Sequence, residues 1–351
     1  MKENNSFMNL NSQLYENFSI DDIVSIHPTS DNFGDLDYPP CIFTPDYNRE
    51  TIINKSNSFN TIIDNKVIKR DDIKEKLPLV SILIPTYNQT EYLERTLMSA
   101  LNQTYTNIEI IICDDSTNDD VEKMVNRYMV NHKNIKYYNN GGPLGQMGIL
   151  NGEKCFDLSN GEYINYLFHD DIFYPNKIEV MLKYFVDNKD VTLVTSYRNR
   201  INENDELVYI PRKILSKTTK INGESLGAFM ICTMANIVGE PTTAMFKKAD
   251  IEDEIFDYKG RKTKSYVDMA IWFKLLIKGN AIYIAEPLSN FRIHASQNTN
   301  NPIIQLLGAI DSYYFIVNSY LDKDFIKSKE EYLKLIKKWS NLYKGKIKDI
   351  I

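Results

Sequence analysis

The sequence predicts an α/β protein built on a doubly wound, mostly parallel sheet flanked by helices. Between residues 79 and 197, apolar runs typical of strands buried on both faces alternate with segments whose apolar residues recur at helical spacing. Polar side chains directly follow three of these runs, at the edge where an open α/β sheet binds its ligands. An irregular N-terminal extension and a helical C-terminal tail complete the predicted architecture.

Five apolar runs in this region predict strands: LVSILIP (79–85), IEIIIC (108–113), IKYY (135–138), GEYINYLF (161–168) and VTLVTSY (191–197). Helical patterns fill the intervals between them. Asn88 with Glu91 resembles a capping box, which predicts the start of the first helix at Asn88. Strands that alternate with helices indicate βαβ units and therefore parallel pairing.

The chain divides into three predicted parts. Residues 1–77 are polar and turn-rich, which predicts an irregular extension. Residues 78–300 form the main domain, and its regular pattern weakens after residue 200. That second half carries a predicted helix, VDMAIWFKLLIKG (267–279), and a predicted strand, AIYIA (281–285). Residues 301–351 form the helical tail.

Composition and charge exclude several classes of protein. The formal charge of −6 gives no support to a nucleic-acid-binding protein. The N-terminus is polar rather than a secretory signal, and no window offers the roughly 20 apolar residues of a membrane span. The cysteines form no CxxC pair and predict reduced core residues in a cytoplasmic protein: Cys41, Cys113, Cys155 and Cys232.

Two adjacent carboxylates, Asp170 and Asp171, follow the fourth predicted strand. Charges about 4 Å apart repel by about 4 kcal/mol at an effective dielectric near 20, and a hard divalent cation would remove that repulsion. Mg²⁺ and Mn²⁺ commonly bind one or two carboxylates together with substrate phosphates, which suggests a nucleotide diphosphate. Neighbouring side chains point in different directions, so one carboxylate of the two would be the direct ligand. A solvated loop pair or a helix N-cap is the alternative interpretation.

A second acidic pair, Asp114 and Asp115, follows the second predicted strand. A carboxylate in that place suits a nucleobase or a ribose, although Asp is also a common turn residue. The glycine-rich GGPLG (141–145) lacks the spacing of a phosphate-binding Walker loop and of the dinucleotide fingerprint. These absences count against ATPase and Rossmann dehydrogenase functions.

These motifs together resemble the family-2 inverting glycosyltransferases of the GT-A fold. The resemblance covers about residues 78–300 and rests on SILIPTYNQTEYLERTLMSALNQTYTNIEIIICDDSTND followed by GEYINYLFHDD. It implies a nucleotide-sugar-binding half at 78–200 and an acceptor half at 201–300. The residues that it implies for the nucleotide and donor sugar are Pro85, Thr86, Tyr87, Asp114, Asp115, Gly145, Asn151 and Asp170. Among these, Asp115 is expected to accept a hydrogen bond from the base.

The same resemblance implies the metal and catalytic residues. Asp170 and Asp171 match the DxD-type motif, with Asp171 as the direct metal ligand, and His294 matches a histidine that helps to hold the metal or the diphosphate. Asp268 matches the acidic residue that acts as general base, although Val267 replaces the glutamate that usually precedes it. Glu240 and Thr242 fall where relatives shape the acceptor pocket, and Glu240 is the alternative base. An N-terminal helix position and ordinary turn chemistry also explain these acidic residues.

The implied activity is transfer of a hexosyl or N-acetylhexosaminyl group, with inversion and with Mn²⁺ or Mg²⁺, from a nucleotide diphosphate sugar to a hydroxyl. A UDP-sugar is the expected donor, and a glycan, a lipid-linked glycan or a protein is the expected acceptor. Two other functions stay open, namely a sugar-1-phosphate nucleotidyltransferase and a non-catalytic nucleotide-sugar-binding protein.

The tail carries excess positive charge. Lys323 to Ile351 holds nine lysines against four acidic residues, a net of +5, and its apolar residues recur at helical spacing. Packing of this helix on its own domain is the favoured interpretation. Peripheral contact with the inner face of a membrane, or formation of a homo-oligomer through the tail, is the alternative.

Overall fold

The computed structural model describes residues 77–209, 213–295 and 302–350, together with short strands at 27–28, 62–63 and 66–67. The chain packs as two units, Met1–Thr29 with Leu79–Ile351, and Ser30–Pro78. In the second unit, Ile62–Ile63 pairs antiparallel with Lys66–Val67. Most of the predicted N-terminal extension, residues 1–77, therefore lies outside the described residues.

The predicted nucleotide-sugar-binding half, residues 78–200 (called the nucleotide half below), alternates strands and helices as predicted. Up to residue 166, its elements are β1 (Val80–Thr86), α1 (Glu91–Leu101), β2 (Ile108–Asp114), α2 (Asp120–Met129), β3 (Ile135–Asn139), α3 (Ile149–Leu158) and β4 (Tyr163–Tyr166). Strand β1 pairs in parallel with both β2 and β4, and β2 pairs in parallel with β3.

After residue 166, the described residues contain five further α-helices and eight further strands. They are β5 (Ile172–Phe173), α4 (Lys177–Asp187), β6 (Val191–Ile201), β7 (Leu207–Tyr209), β8 (Thr219–Ile221), α5 (Gly223–Thr233), β9 (Ala244–Lys247), β10 (Asp257–Tyr258), β11 (Arg261–Lys262), α6 (Val267–Lys278), β12 (Asn280–Arg292), α7 (Pro302–Asp322) and α8 (Lys329–Ile350).

One curled sheet runs through this unit. Its strand order is 27–28, β8, β12, β6, β9, β4, β1, β2, β3, with β7 beside β6 and β5 beside β12. Strand β9 is antiparallel to both of its neighbours, whereas β6 and β12 are parallel. The prediction of a mostly parallel sheet flanked by helices is confirmed, with antiparallel strands added in the acceptor half.

Strands β1, β2 and β4 are buried on both faces, which explains their continuous apolar runs. Alternate residues of a strand point to opposite faces. Ile82 and Ile84 of β1 accordingly join the core under α1, α2 and α4, whereas Leu83 joins the core under α3, α5 and α6. A strand with polar residues on one face would leave the helices on that face without an apolar surface to cover.

Helix α1 does not begin at the predicted capping box. Thr90 is the residue before its first turn, and Asn88 lies outside the helix with a φ of 47°. Asn88 instead connects the loops after β1 and β2, because its backbone N–H donates to Ser116 Oγ and its Oδ1 accepts from Thr117 N. The predicted cap is wrong since Asn88 bonds across the sheet edge rather than within its own helix.

The two helices of the tail pack on each other through aromatic residues, and Phe325 between them packs against Phe273 of α6. The indole N–H of Trp339 donates to the carbonyl of Ala309 at 2.9 Å, and Tyr320 stacks on Tyr332 with ring centroids 4.5 Å apart. Leu335 and Tyr343 of α8 are buried. Of the helices in the part of the chain that the structure describes, none has the length and apolarity to cross a membrane.

We expect Trp339→Ala to lower the free energy of unfolding by about 2 kcal/mol or more, since it removes a large, partly buried ring and its hydrogen bond. Urea unfolding followed by circular dichroism measures the change. Leu333→Ala is the matched control, because Leu333 lies on the same helix and is 53% exposed. Equal destabilisation by the two changes would show that α8 does not pack through Trp339.

Candidate functional site

The carboxyl ends of β1, β2 and β4 bring three polar groups to one edge of the sheet. The backbone N–H of Asp115 donates to the carbonyl of Thr86 at 3.0 Å, which joins the first two loops. Nδ1 of His169 lies 3.2 Å from the carbonyl of Pro85, which joins the third loop to the first. The predicted convergence of these segments at one edge is therefore present in the fold.

The two carboxylates after β2 have different surroundings. Asp114 is buried and both of its oxygens are used, since Oδ1 accepts from Ser116 N and Oδ2 accepts from Tyr137 OH at 2.6 Å. Asp115 accepts from Asn140 Nδ2 through Oδ1 only, at 2.7 Å. Its Oδ2 makes no hydrogen bond to the described residues, so Asp115 is the carboxylate of this pair that can receive a ligand N–H.

Asn151 holds this edge together. Its side-chain N–H groups donate to the carbonyls of Thr86 and Cys113, at 3.2 and 3.0 Å, and its Oδ1 accepts from Asn140. The residue is buried. Its geometry fixes the ends of β1 and β2 relative to α3, and through Asn140 it orients Asp115.

Residues 86 and 87 line the mouth of the same edge. The hydroxyl of Thr86 is buried and has no hydrogen-bond partner among the described residues. The ring of Tyr87 is 49% exposed, as a surface on which a base could stack must be. The Tyr87 ring therefore lies outside the core, whereas the Thr86 side chain is buried.

The loop before α3 is held in the left-handed backbone region. Gly145, Gln146, Met147 and Gly148 have φ values of 110°, 51°, 56° and 90°. Left-handed φ is costly for Gln146 and Met147, which have a Cβ atom. The side chain of Gln146 is fixed from outside the loop, because its Oε1 accepts from Lys264 Nζ at 2.6 Å.

Asp170 pairs with His294. Oδ2 of Asp170 lies 2.9 Å from Nε2 of His294, and the ring of His294 packs on Tyr92. Burial opposes ionisation of Asp170, but the hydrogen bond from His294 and the neighbouring His169 hold its pKa below the ordinary value. A cation at this pair would replace the proton that His294 shares with Asp170, and the carboxylate and the imidazole nitrogen would then be its ligands.

Asp171 faces the protein interior. It is 1% exposed, its Oδ2 accepts from the Thr242 hydroxyl at 2.6 Å, and its Oδ1 accepts from the Arg292 backbone N–H at 3.0 Å. Burial raises its pKa well above the ordinary value, and the charges of Asp170 and Glu240 add to that rise. The family resemblance implied that Asp171 contacts the metal directly. Its buried position and its hydrogen bonds to Thr242 and Arg292 are more typical of a carboxyl group that holds a loop in place.

Arg292 organises the loops around the aspartate pair. Its side chain is fully buried, and Nε donates to the carbonyl of Asp170 at 2.8 Å. Nη1 donates to the carbonyl of Asn202, and Nη2 pairs with Asp205. The guanidinium also lies 4.6 Å above the Tyr92 ring.

Glu240 lies close enough to Asp171 and to Asp268, the predicted base, for its charge to act on both. It forms an ion pair with Arg198 at 2.5 Å, and its charge raises the pKa of both Asp171 and Asp268. Beneath it, the fully buried Lys177 donates to the carbonyl of Thr243 at 3.1 Å. Burial lowers the pKa of Lys177 to about 7, against the opposing charges of Glu240 and Asp171.

Asp268 is held at the first turn of α6. Its Oδ1 accepts from Met269 N at 2.8 Å and its Oδ2 accepts from Asn236 Nδ2 at 2.6 Å. Burial raises the pKa of Asp268 to about 7, although both hydrogen bonds favour the ionised form and Glu240 opposes it. A carboxylate with this pKa can accept a proton near neutral pH.

Sequence analysis missed Asn236 and Arg292. Asn236 also binds the backbone of Gly239 in both directions, and Trp272 donates its indole N–H to the same Gly239 carbonyl. These contacts align the Glu240 turn with α6. Arg292 had a sequence signal, since it lies two residues before His294 and alternate residues of an extended chain share a face. Asn236 had none.

A cluster of three carboxylates elsewhere in the described residues has the spacing of a metal site. Glu153, Glu254 and Asp257 bring carboxylate oxygens within 4.8 Å of one another. Lys262 already pairs with Glu153 and with Glu254, at 2.7 Å each. An ammonium group therefore compensates this cluster, and Asp170 with His294 is the better cation site.

Comparison with known proteins agrees with this geometry. Residues 81–249 match the model of the family described as Glycosyl transferase family 2. An uncharacterized glycosyltransferase of Rickettsia typhi is 32% identical over 256 residues, which cover 70% of this chain and 72% of the relative. A chondroitin synthase of Escherichia coli is 35% identical over 129 residues, which cover 36% of this chain and 18% of that protein.

Solved structures share the fold. The crystal structure of S. aureus TarS 1-349 in complex with UDP-GlcNAc aligns with a TM-score of 0.55 at 15% identity, and the alignment covers 75% of this chain and 72% of that one. A longer TarS structure aligns with a TM-score of 0.54 at 17% identity, and there the chain spans 43% of the TarS length. Both neighbours are GT-A type glycosyltransferases, which confirms the predicted fold class.

We expect Arg292→Lys to lower the free energy of unfolding by roughly 2–4 kcal/mol, because an ammonium group cannot reach the separate acceptors that the guanidinium satisfies. Urea unfolding measures this change. Arg95→Lys is the matched control, since Arg95 also pairs with Asp205 but is partly exposed, and it should cost less than about 1 kcal/mol. A smaller effect at Arg292 than at Arg95 would contradict the organising role of Arg292.

Proposed function

The chain belongs to glycosyl transferase family 2, and from that premise we propose that it moves a sugar from a nucleotide diphosphate donor to a hydroxyl acceptor, with metal assistance and with inversion. One observation carries the proposal: Asp115 keeps an oxygen for a nucleobase at the same sheet edge where Asp170 pairs with His294. A base contact and a cation site on one edge fit a nucleoside diphosphate.

The proposed donor is a UDP-hexose or a UDP-N-acetylhexosamine. TarS, which shares the fold, has been crystallised with UDP and with UDP-GlcNAc. Relatives over part of the chain include chondroitin and hyaluronan synthases. Tyr87 would stack on the base, Asp115 would accept from a base N–H, and Gly145 lies in the loop that would approach the ribose and donor sugar. Asn151 supports this pocket by holding its walls.

The cation would bind Asp170, with His294 beside it. Asp170 is the ionised member of the aspartate pair, and Asp171 is turned to Thr242 and Arg292. We therefore assign the direct contact to Asp170 and give Asp171 the task of holding its loop. When bound, Mn²⁺ or Mg²⁺ supplies Lewis-acid stabilisation of the leaving diphosphate.

Asp268 would act as the general base. Direct displacement at the anomeric carbon requires the acceptor hydroxyl to lose its proton as the new bond forms, and a carboxylate within hydrogen-bond reach can take it. Asn236 and Met269 N orient the Asp268 carboxylate for that transfer. Glu240, fixed by Arg198, borders the same space and would shape the acceptor pocket together with Thr242. Glycans, lipid-linked glycans and proteins all offer a suitable hydroxyl.

Asp170→Asn should weaken Mn²⁺-dependent UDP binding by at least about 10–100-fold, the loss that follows even when outer partners of a metal are removed. Asp171→Asn should bind UDP and Mn²⁺ nearly as the wild type does, since the amide keeps the shape of a protonated carboxyl. Calorimetry with and without Mn²⁺ measures both. If Asp171→Asn loses the metal dependence and Asp170→Asn keeps it, Asp171 is the direct ligand, as the sequence resemblance implied.

Turnover should depend on the ionisation of Asp268. Because its pKa is raised to about 7 and the base must be ionised, we expect kcat to fall as the pH drops below about 7 and to level off above it. Asp268→Asn should lower kcat by roughly 10²–10⁴ and abolish this pH dependence, with UDP affinity unchanged. UDP release from UDP-GlcNAc, with water as the acceptor of the sugar, measures this at a series of pH values. An active Asp268→Asn variant beside an inactive Glu240→Gln variant would assign the base to Glu240.

A further inference from the structure

A buried carboxylate in the C-terminal region faces the segment that leads to Asp268. Asp311 of α7 is fully buried, and its Oδ2 accepts from three consecutive backbone N–H groups, those of Lys264, Ser265 and Tyr266, at 2.9, 2.8 and 3.2 Å. Its Oδ1 accepts from Arg261 Nη2 at 3.3 Å. Asp311 takes no part in the function proposed above.

The segment at 264–266 has no regular structure of its own. It lies between β11 and α6, so its N–H groups have no sheet or helix partner and need another acceptor. A single carboxylate oxygen supplies it, and hydrogen bonds to an ionised acceptor are about twice as strong as neutral ones. The conformation of this segment therefore depends on one side chain.

One face of α7 is shaped for this contact. Gly308 lies one turn before Asp311, and a Cβ at Gly308 would come within 2.9 Å of the Tyr266 ring and 3.1 Å of Ser265 Oγ. Tyr314, one turn after Asp311, packs against the Arg261 guanidinium at 4.8 Å and donates to the Lys259 carbonyl. Gly308 and Asp311 thus contact the 264–266 segment, and Tyr314, at the same helical spacing, contacts the β10–β11 hairpin that precedes it.

The anchored segment ends at the predicted base. The carbonyl of Tyr266 accepts the first hydrogen bond of α6, from Ala270 N at 3.1 Å, and Asp268 is two residues beyond Tyr266. At the other end, Lys264 Nζ binds Gln146 in the left-handed loop before α3. The segment therefore spans from the donor loop to the base.

We infer that Asp311 is a positioning residue, which sets the place of Asp268 by anchoring the 264–266 backbone from the C-terminal helix. This inference rests on the proposed function for the role of Asp268, whereas the anchoring itself does not. It makes α7 a part of the catalytic unit rather than an accessory of the domain. A displacement of a reacting group by about 1 Å can cost 10²-fold in rate, so loss of the anchor should be visible in turnover.

The test compares Asp311→Asn with Asp322→Asn in the full-length protein. The amide at position 311 keeps the volume of the carboxyl but removes the charge, whereas Asp322 lies on the same helix in an exposed pair with Lys259. Hydrogen exchange of the 264–268 peptide should rise in Asp311→Asn. With UDP-GlcNAc and Mn²⁺, its kcat for UDP release should fall roughly 10- to 100-fold. The Kd for UDP should stay within about threefold in both variants, and Asp322→Asn should keep the wild-type kcat.

Gly308→Ala should displace the same segment by a second route, because alanine favours the helix but its methyl group would press on the Tyr266 ring. The kcat of this variant should also fall. Unchanged exchange in Asp311→Asn, or raised exchange with unchanged kcat, would overturn the inference. A wild-type protein that binds no UDP and releases none from UDP-GlcNAc would count against the proposed function instead. In that case the exchange of 264–268 still decides whether Asp311 anchors the segment.

Discussion

A fully buried guanidinium fixes the geometry on which the site depends. Arg292 has no access to solvent, so its N–H groups require protein acceptors, and an unpaired buried charge would cost several kcal/mol. It finds them on the carbonyl of Asp170 and on the turn at 202–205, two segments that extend beyond the strands paired with β12. Its backbone N–H takes an oxygen of Asp171. The loop is thereby set with one carboxylate turned inward and the other toward His294.

Environment, rather than residue type, separates the roles of the carboxylates. Burial raises the pKa of Asp171 well above the ordinary value, partners lower that of Asp170, and burial raises that of Asp268 to about 7. Such divergence between neighbouring titratable groups marks the division of acid, base and ligand roles in enzymes. Glu240 couples two of these groups through its charge, and its ion pair with Arg198 keeps that charge in place. The three carboxylates therefore differ in pKa through their burial and their partners.

The sequence predicted what local patterns encode. The strands and helices of the nucleotide half followed from apolar runs and helical spacing, because burial on both faces of a parallel sheet leaves a strong signal. The start of α1 did not follow, since Asn88 bonds to the loop after β2 instead of its own helix. The contacts of Asp170 with His294 and of Asn236 with Asp268 join residues 124 and 32 positions apart. No local window contains both partners of such a pair, so the sequence alone could not show which partner each aspartate has.

The family match ends at residue 249, but the site does not. The proposed donor residues Tyr87, Asp115 and Asp170 lie inside the matched segment, whereas Asp268 and His294 lie beyond it. The segment before α6 is held by α7, which lies further still along the chain. Donor chemistry is common to many transferases, but the acceptor and the geometry of the base differ among them, and such differences reside in elements that a shared sheet positions. A C-terminal helix that anchors the proposed base can therefore vary with the acceptor, while the sheet edge proposed for the nucleotide stays the same.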